Sequence, residues 1–281
     1  MPRFLSCLAL AAAAAFSLWA PSVMADDAGA ETPWQDHDGM VRTHLVAASA
    51  AMTDKDGNRL YAWEADMAPG WKTYWRSPGE AGLPVRLREG DKPIEILFPL
   101  PERFTLFGIG TTGYHNRVML PFRMKKGTKP GTVISADFMV CKDICVPFEA
   151  TYKLPETPDI SGNDIRIGVW LKRVPVREGD AGVGLKVTGM RLMGTKGHQR
   201  LIVDVAADVT LSGADLFAEA GDMVHFGTPK MKLMADGKSA RFVLSPMMGN
   251  KPFDLLGHDV RLTISDGHGQ AIDRTLKITR P

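Results

Sequence analysis

Short runs rich in apolar and β-branched residues, some of them alternating with polar positions, recur along this chain. In the first half the runs are Met40–Ala48, Arg59–Met67, Val85–Arg88, Ile94–Phe98, Val118–Met124, Thr132–Val140 and Val146–Leu154. In the second half they are Gly184–Leu192, Arg200–Ala206, Met223–Phe226, Lys230–Met234, Ala240–Leu244, Val260–Ile264 and Arg274–Ile278. Alternation of this kind puts one side of a strand on a core and the other in water. The runs are separated by Gly, Pro, Asp and Asn, and Asp236-Gly237 and Asp266-Gly267 predict hairpin turns. Helix signals are few. Ile165–Arg173 reads as a short helix or a strand, and Ser212–Ala220 as a short turn. Many short strands at regular spacing predict an all-β protein of sandwiches rather than alternating α/β units.

The segment Pro155–Asp164 is polar, carries two prolines and a glycine, and has no apolar period. It predicts a linker between a domain at 40–154 and a second β-sandwich at 165–281. The N-terminus reads as a cleaved signal peptide over 1–25. Arg3 precedes the apolar run Leu8–Leu18, and Val23-Met24-Ala25 supplies small residues before Asp26. Residues 26–39 are left as an N-terminal extension. No later run is long and apolar enough to cross a bilayer, so the mature chain is expected to lack a membrane span. The 34 basic and 32 acidic residues give a net charge of +2, which offers no argument for nucleic acid as a partner.

Outside the signal the chain has two cysteines, Cys141 and Cys145, in the run Val140-Cys-Lys-Asp-Ile-Cys-Val-Pro147. Lys142-Asp143-Ile144 reads as a three-residue turn that sets the cysteines opposite each other on adjacent strands, within disulfide reach. Such turns favour a residue with positive φ near their end, and Ile144 is a poor occupant. Lys142 would favour a thiolate at Cys141, and Pro147 shapes the chain just after Cys145. An exported compartment is oxidising. A ring this small restricts the unfolded chain little, which makes it poor scaffolding. Three readings stay open: a redox-active pair, a permanent staple, and two thiolate ligands for Cu(I). Thioethers such as Met223, Met231, Met234, Met247 and Met248, with His198 and His225, add soft donors in the second domain, although Met is also a common core filler. No phosphate-binding loop, nucleophile elbow or zinc-protease helix motif is present, and no organic cofactor is implied.

Three segments together carry a resemblance. Pro69-Gly-Trp-Lys-Thr-Tyr-Trp-Arg-Ser-Pro-Gly-Glu-Ala-Gly-Leu-Pro84, then Gly113-Tyr114 with Val118-Met-Leu-Pro121, then the cysteine run, resemble in order the motifs of the DsbD N-terminal domain family, especially its ScsB-like branch. The resemblance implies an immunoglobulin-like sandwich in the periplasm that passes reducing equivalents through Cys141 and Cys145. It implies Cys145 as the partner-linked cysteine and Cys141 as its resolver. Its expected partners are a separate membrane-embedded or thioredoxin-like electron donor and oxidised periplasmic thiol proteins, since this sequence shows neither a membrane-embedded nor a thioredoxin-like domain. It also implies an aromatic cap over the disulfide. Phe107 falls nearest that position and Phe104 competes with it, while Leu106 and Thr105 stand where the family has an acidic pair. Tyr74 becomes an expected neighbour of the cysteines. Each of these rings has an equally good reading as sandwich core. The second domain carries no diagnostic motif and is also compatible with a docking module without chemistry.

Overall fold

The computed structural model describes residues 29–279 apart from 80–81, 107, 181, 222–223 and 248–253. The signal-peptide segment therefore lies outside the described residues. In chain order the first sandwich contains β1 (Gln35–His37), β2 (Val41–Ala47), β3 (Arg59–Met67), β4 (Lys72–Gly79), β5 (Arg86–Glu89) and β6 (Lys92–Ile94). It continues with β7 (Glu102–Leu106), β8 (Ile109–His115), β9 (Arg117–Met124), β10 (Val133–Cys141) and β11 (Cys145–Lys153). One sheet runs β1-β2-β3-β9. The facing sheet runs β6-β5-β10-β4-β8-β7, with β11 on β10. The core between them is made by alternate residues. From β10 it takes Ile134, Ala136, Phe138 and Val140, and from the first sheet Leu45, Tyr61, Trp63, Leu120 and Phe122. Strict alternation along β10 leaves Ser135, Asp137, Met139 and Cys141 on the outer face.

The helix α1 (Asn163–Leu171) settles the Ile165–Arg173 ambiguity. It buries Ile167 against Val46, Leu60, Ala62 and Met119 of the first sandwich. The chain from 155 onward also bonds back to that sandwich, through Glu156 N to Gly29 O and Ala50 N to Pro158 O. The segment expected to open the second domain thus packs on the first, because its apolar stripe meets the outer face of the first sheet. The segment expected as an extension is likewise built in: Ala30 is buried, and β1 pairs with β2. Arg166 reaches the buried Glu64, which also accepts from His44 Nε2 at 2.9 Å. Burial opposes the charge on Glu64, but the His44 hydrogen bond and Arg166 outweigh it and hold the carboxyl below its ordinary range.

The second sandwich contains β12 (Val176–Arg177), β13 (Lys186–Met193), β14 (Arg200–Ala206), β15 (Asp215–Glu219) and β16 (His225–Phe226). β17 (Lys230–Leu233), β18 (Ser239–Leu244), β19 (Pro246–Met247), β20 (Asp259–Ser265) and β21 (Ala271–Lys277) complete it. Its sheets run β12-β21-β20-β15-β16-β19 and β13-β14-β18-β17. A separate core forms from residues such as Leu201, Val203, Val205, Phe242, Leu262 and Ile264. Both Asp-Gly turns are present, with Gly237 and Gly267 at φ 67 and 81°. The all-β, two-sandwich expectation holds. Seven strands were not anticipated: the short β1, β12 and β19, and the longer β4, β7, β8 and β15. β15 replaces the turn expected within Ser212–Ala220, and β6 lies upstream of the expected Ile94–Phe98 run.

Candidate functional site: a disulfide at the end of a sheet

Cys141 ends β10 and Cys145 begins β11. They are direct register partners, bonded as a disulfide with Cα atoms 4.2 Å apart. The intervening turn is closed by Lys142 N donating to Ile144 O at 3.1 Å. Among the described residues positive φ outside glycine occurs only at Asp38 and Asn116, so Ile144 does not adopt the left-handed conformation that its position suggested. Lys142, Asp143 and Ile144 are all exposed. Lys142 lies along Gly70, where an added Cβ would meet its Cε at 3.0 Å.

The two sulfurs live in different surroundings. Cys145 is exposed, whereas Cys141 is fully buried although it points away from the sandwich core. A separate apolar cluster covers it: Tyr74 of β4 and Leu106 of β7, with Phe104 and Met139 packed against them. The Tyr74 hydroxyl donates to Cys141 Sγ at 2.7 Å and lies 3.5 Å from Cys145 Sγ. Burial pushes the Tyr74 phenol up to about 12, so it stays a protonated donor across the physiological range. Gly82 closes the far side. A Cβ there would fall 2.3 Å from the Tyr74 ring, so only glycine permits this approach.

The outer face continues beyond the sulfurs. Lys72 stands opposite Cys141 in the β4–β10 register, and His115 stands opposite Lys72 in the β4–β8 register. Directly opposed residues share a face. The row therefore runs Cys145, Cys141, Lys72, His115, and His115 Nδ1 meets Glu102 Oε2 at 2.8 Å. The Lys72 ammonium sits 5.3 Å from the centre of the Phe104 ring. A cation in this row favours a thiolate beside it.

Of the residues singled out from sequence, the structure brings Cys141, Cys145, Tyr74 and Phe104 together. Phe107 lies outside the described residues. Lys142 borders the pair from the turn. Pro147 shares the outer face with Cys145 on β11, which among the described strands pairs only with β10 and so tolerates a residue without an N–H. Lys72, Leu106, Gly82 and His115 were missed. Lys72 was findable, since it stands two residues before Tyr74 and a strand repeats its faces with that period. Among the described soft donors, His225 lies on β16 and Met247 on β19 of the second sandwich. Met231 packs on the second core, while Met223 and Met248 lie outside the described residues.

Fold and site together define a two-sheet, immunoglobulin-like domain with an asymmetric disulfide at its edge, extended by a second β domain. Residues 42–157 match the family described as thiol:disulfide interchange protein DsbD, N-terminal. Residues 173–281 match a domain of unknown function (DUF8393). Among solved structures, the crystal structure of the N-terminal periplasmic domain of ScsB from Proteus mirabilis aligns with a TM-score of 0.71 at 18% identity, covering 90% of this chain and 100% of that one. At that identity the likeness concerns the fold. A crystal structure of bovine butyrophilin aligns at a TM-score of only 0.23 and 9% identity, covering 83% of this chain and 94% of that one. No curated protein matches the chain.

Proposed function

We propose that this protein is a periplasmic thiol–disulfide interchange protein in which the Cys141–Cys145 pair is itself the redox group. The unequal burial of the two sulfurs carries this reading. A disulfide is cleaved at whichever sulfur an incoming thiolate can reach, and here that is the exposed Cys145. The partner's sulfur bonds to Cys145 Sγ, the Cys141–Cys145 bond breaks, and its electron pair leaves on Cys141 Sγ. The Tyr74 hydroxyl already donates to that atom, so the developing thiolate meets a hydrogen bond without rearrangement. The donor's second thiol, as its thiolate, then attacks the mixed disulfide at the donor's own sulfur. Cys145 is released reduced and the donor becomes a disulfide. Two electrons have moved.

Toward an oxidised partner the steps reverse. The Cys145 thiolate attacks the partner's disulfide, and the Cys141 thiolate resolves the mixed species. The family points to a thioredoxin-like protein as donor and to periplasmic thiol proteins as acceptors. No described helix is long and apolar enough to cross a membrane.

Trapping tests the reading. With Cys141→Ala, Cys145 should accumulate mixed disulfides with a periplasmic thiol protein, while Cys145→Ala should trap far less because Cys141 is covered. If neither variant traps a partner and the folded protein's disulfide withstands mild reductant, the pair is a staple and the proposal fails.

A further inference from the structure

Cys141 occupies an outward-facing position, and such positions normally reach water. Its burial depends on a cover made by Tyr74 of β4 and by Phe104 and Leu106 of β7. Among the described strands β7 is the last of its sheet and pairs only with β8. No further strand in its own sheet braces it. β4 pairs regularly with β8 up to Tyr74, and then the register breaks before Gly79. Both strands that bear the cover are thus weakly held at the point where they bear it.

The second sandwich holds both. On β7, Arg103 alternates with Phe104 and points the other way. Its Nε and Nη2 donate to the two carboxylate oxygens of Asp215 at 2.7 and 3.1 Å, and Nη2 also donates to Leu216 O at 2.8 Å. Its guanidinium lies 4.1 Å from the centre of the Phe217 ring. On β4, the two residues after Tyr74 do the same. Trp75 packs on Phe217 with ring centres 5.2 Å apart, and Arg76 Nε donates to Glu219 Oε1 at 2.8 Å. Arg76 Nη2 also reaches Thr263 and Asp273. Asp215, Leu216, Phe217 and Glu219 all belong to β15, and Phe217 is counted within the first core. The Arg76 side chain is only 12% exposed, so these are desolvated, multiply hydrogen-bonded pairs rather than loose surface contacts.

We infer that β15 of the second sandwich clamps the aromatic cover over Cys141, and that Arg103 and Arg76 are positioning residues through which it selects what may reduce the disulfide. The inference rests on the interchange reading above, and it gives the second domain a role in that chemistry. With the clamp intact the cover stays closed to small thiols, and a docked protein partner supplies the contacts that displace it. With the clamp cut, the open population grows without any change in the sulfurs themselves.

The test uses the full chain and a small reductant, so its result does not depend on finding a partner. Asp215→Asn with Glu219→Gln removes the clamp from the second-sandwich side, far from the sulfurs. The rate of disulfide reduction by glutathione should rise roughly fivefold or more. The equilibrium constant with glutathione should move less than about twofold, since the clamp contacts neither sulfur. Amide exchange in Glu102–Leu106 should accelerate. The charge-reversed pair Arg103→Asp with Asp215→Arg should return the rate toward that of the unsubstituted protein, which a merely weakened fold would not do. An unchanged glutathione rate in the Asp215→Asn, Glu219→Gln protein overturns the inference, even if trapping succeeds. A raised rate that the charge-reversed pair fails to restore also overturns it.

Discussion

The two sandwiches use the same alternation and differ in what they do with their outer faces. In the second, β14 puts Leu201, Val203 and Val205 into the core and turns Asp204 outward. Asp204 is held there by Arg241 at 2.6 Å and Arg191 at 3.1 Å, and its carboxyl lies below the ordinary range, chiefly because of the Arg241 hydrogen bond. The face is closed by charge. In the first, β10 makes the same inward choice, but its outward end carries Cys141 beneath a tyrosine and a leucine. A face closed by ion pairs needs no cover. A face that carries a sulfur pair needs one, and the cover must be brought from other strands and held by a neighbouring domain.

Glycine substitutions should separate the two faces most sharply. A Cβ on Gly113 would fall 2.0 Å from Thr73 O, whereas one on Gly189 meets nothing closer than Asp204 Oδ2 at 3.7 Å. Gly113→Ala should cost about 3 kcal/mol or more by prising β8 from β4, and Gly189→Ala should stay within about 0.5 kcal/mol. Urea unfolding of the two variants checks this, and equal losses would break the comparison. Next in size is Tyr74→Phe. Losing a hydrogen bond to a thiolate costs roughly 1.5–3 kcal/mol in the reduced state, which lowers the reduction potential by roughly 30–60 mV. Redox equilibration with glutathione reads it directly.

Asp204→Ala is the matching change in the second sandwich. It should cost about 1 kcal/mol of that sandwich's stability and leave the reduction potential where it was. The smallest effect is an alkaline one, absent at neutral pH. All four tyrosines belong to the first sandwich. The Tyr74 phenol titrates near 12 in the folded protein, and burial also raises Tyr114 and Tyr152. The folded state keeps protons that the unfolded chain gives up near pH 10, so stability is lost as the pH climbs from about 10 to about 12. Calorimetry over that range should lower the first sandwich's transition and leave the second's unmoved by tyrosine titration.

Some of this was legible in the sequence. Arg200–Ala206 stands with the ends expected of it, because it presents one face to a core and one to charge, and Arg59–Met67 keeps its ends as well although α1 covers its outer face. The opposition of Cys141 and Cys145 was legible too, since three residues between two strand-like runs leave little choice but a hairpin. The longer unanticipated strands share a different property. β4 carries Tyr74 outward and Trp75 inward, and both are buried. β8 interleaves threonines and glycines, and β7 and β15 present their charged residues to each other's sandwich. Residues buried on both faces, or polar on a face that meets another domain, erase the period-two signal on which the reading depends.

The sequence by itself determined two β-sandwiches, a cysteine hairpin in the first, and the motifs that resemble the DsbD N-terminal family, whose model matches residues 42–157. Those features follow from contacts between residues near in the chain or from a repeat along one strand. Tertiary structure alone decided that Cys141 is hidden while Cys145 is open, that Tyr74 donates to the hidden sulfur, and that β15, more than a hundred residues from Arg103, holds the cover in place. Burial and hydrogen bonding depend on which strands become neighbours, and sequence spacing carries no record of that.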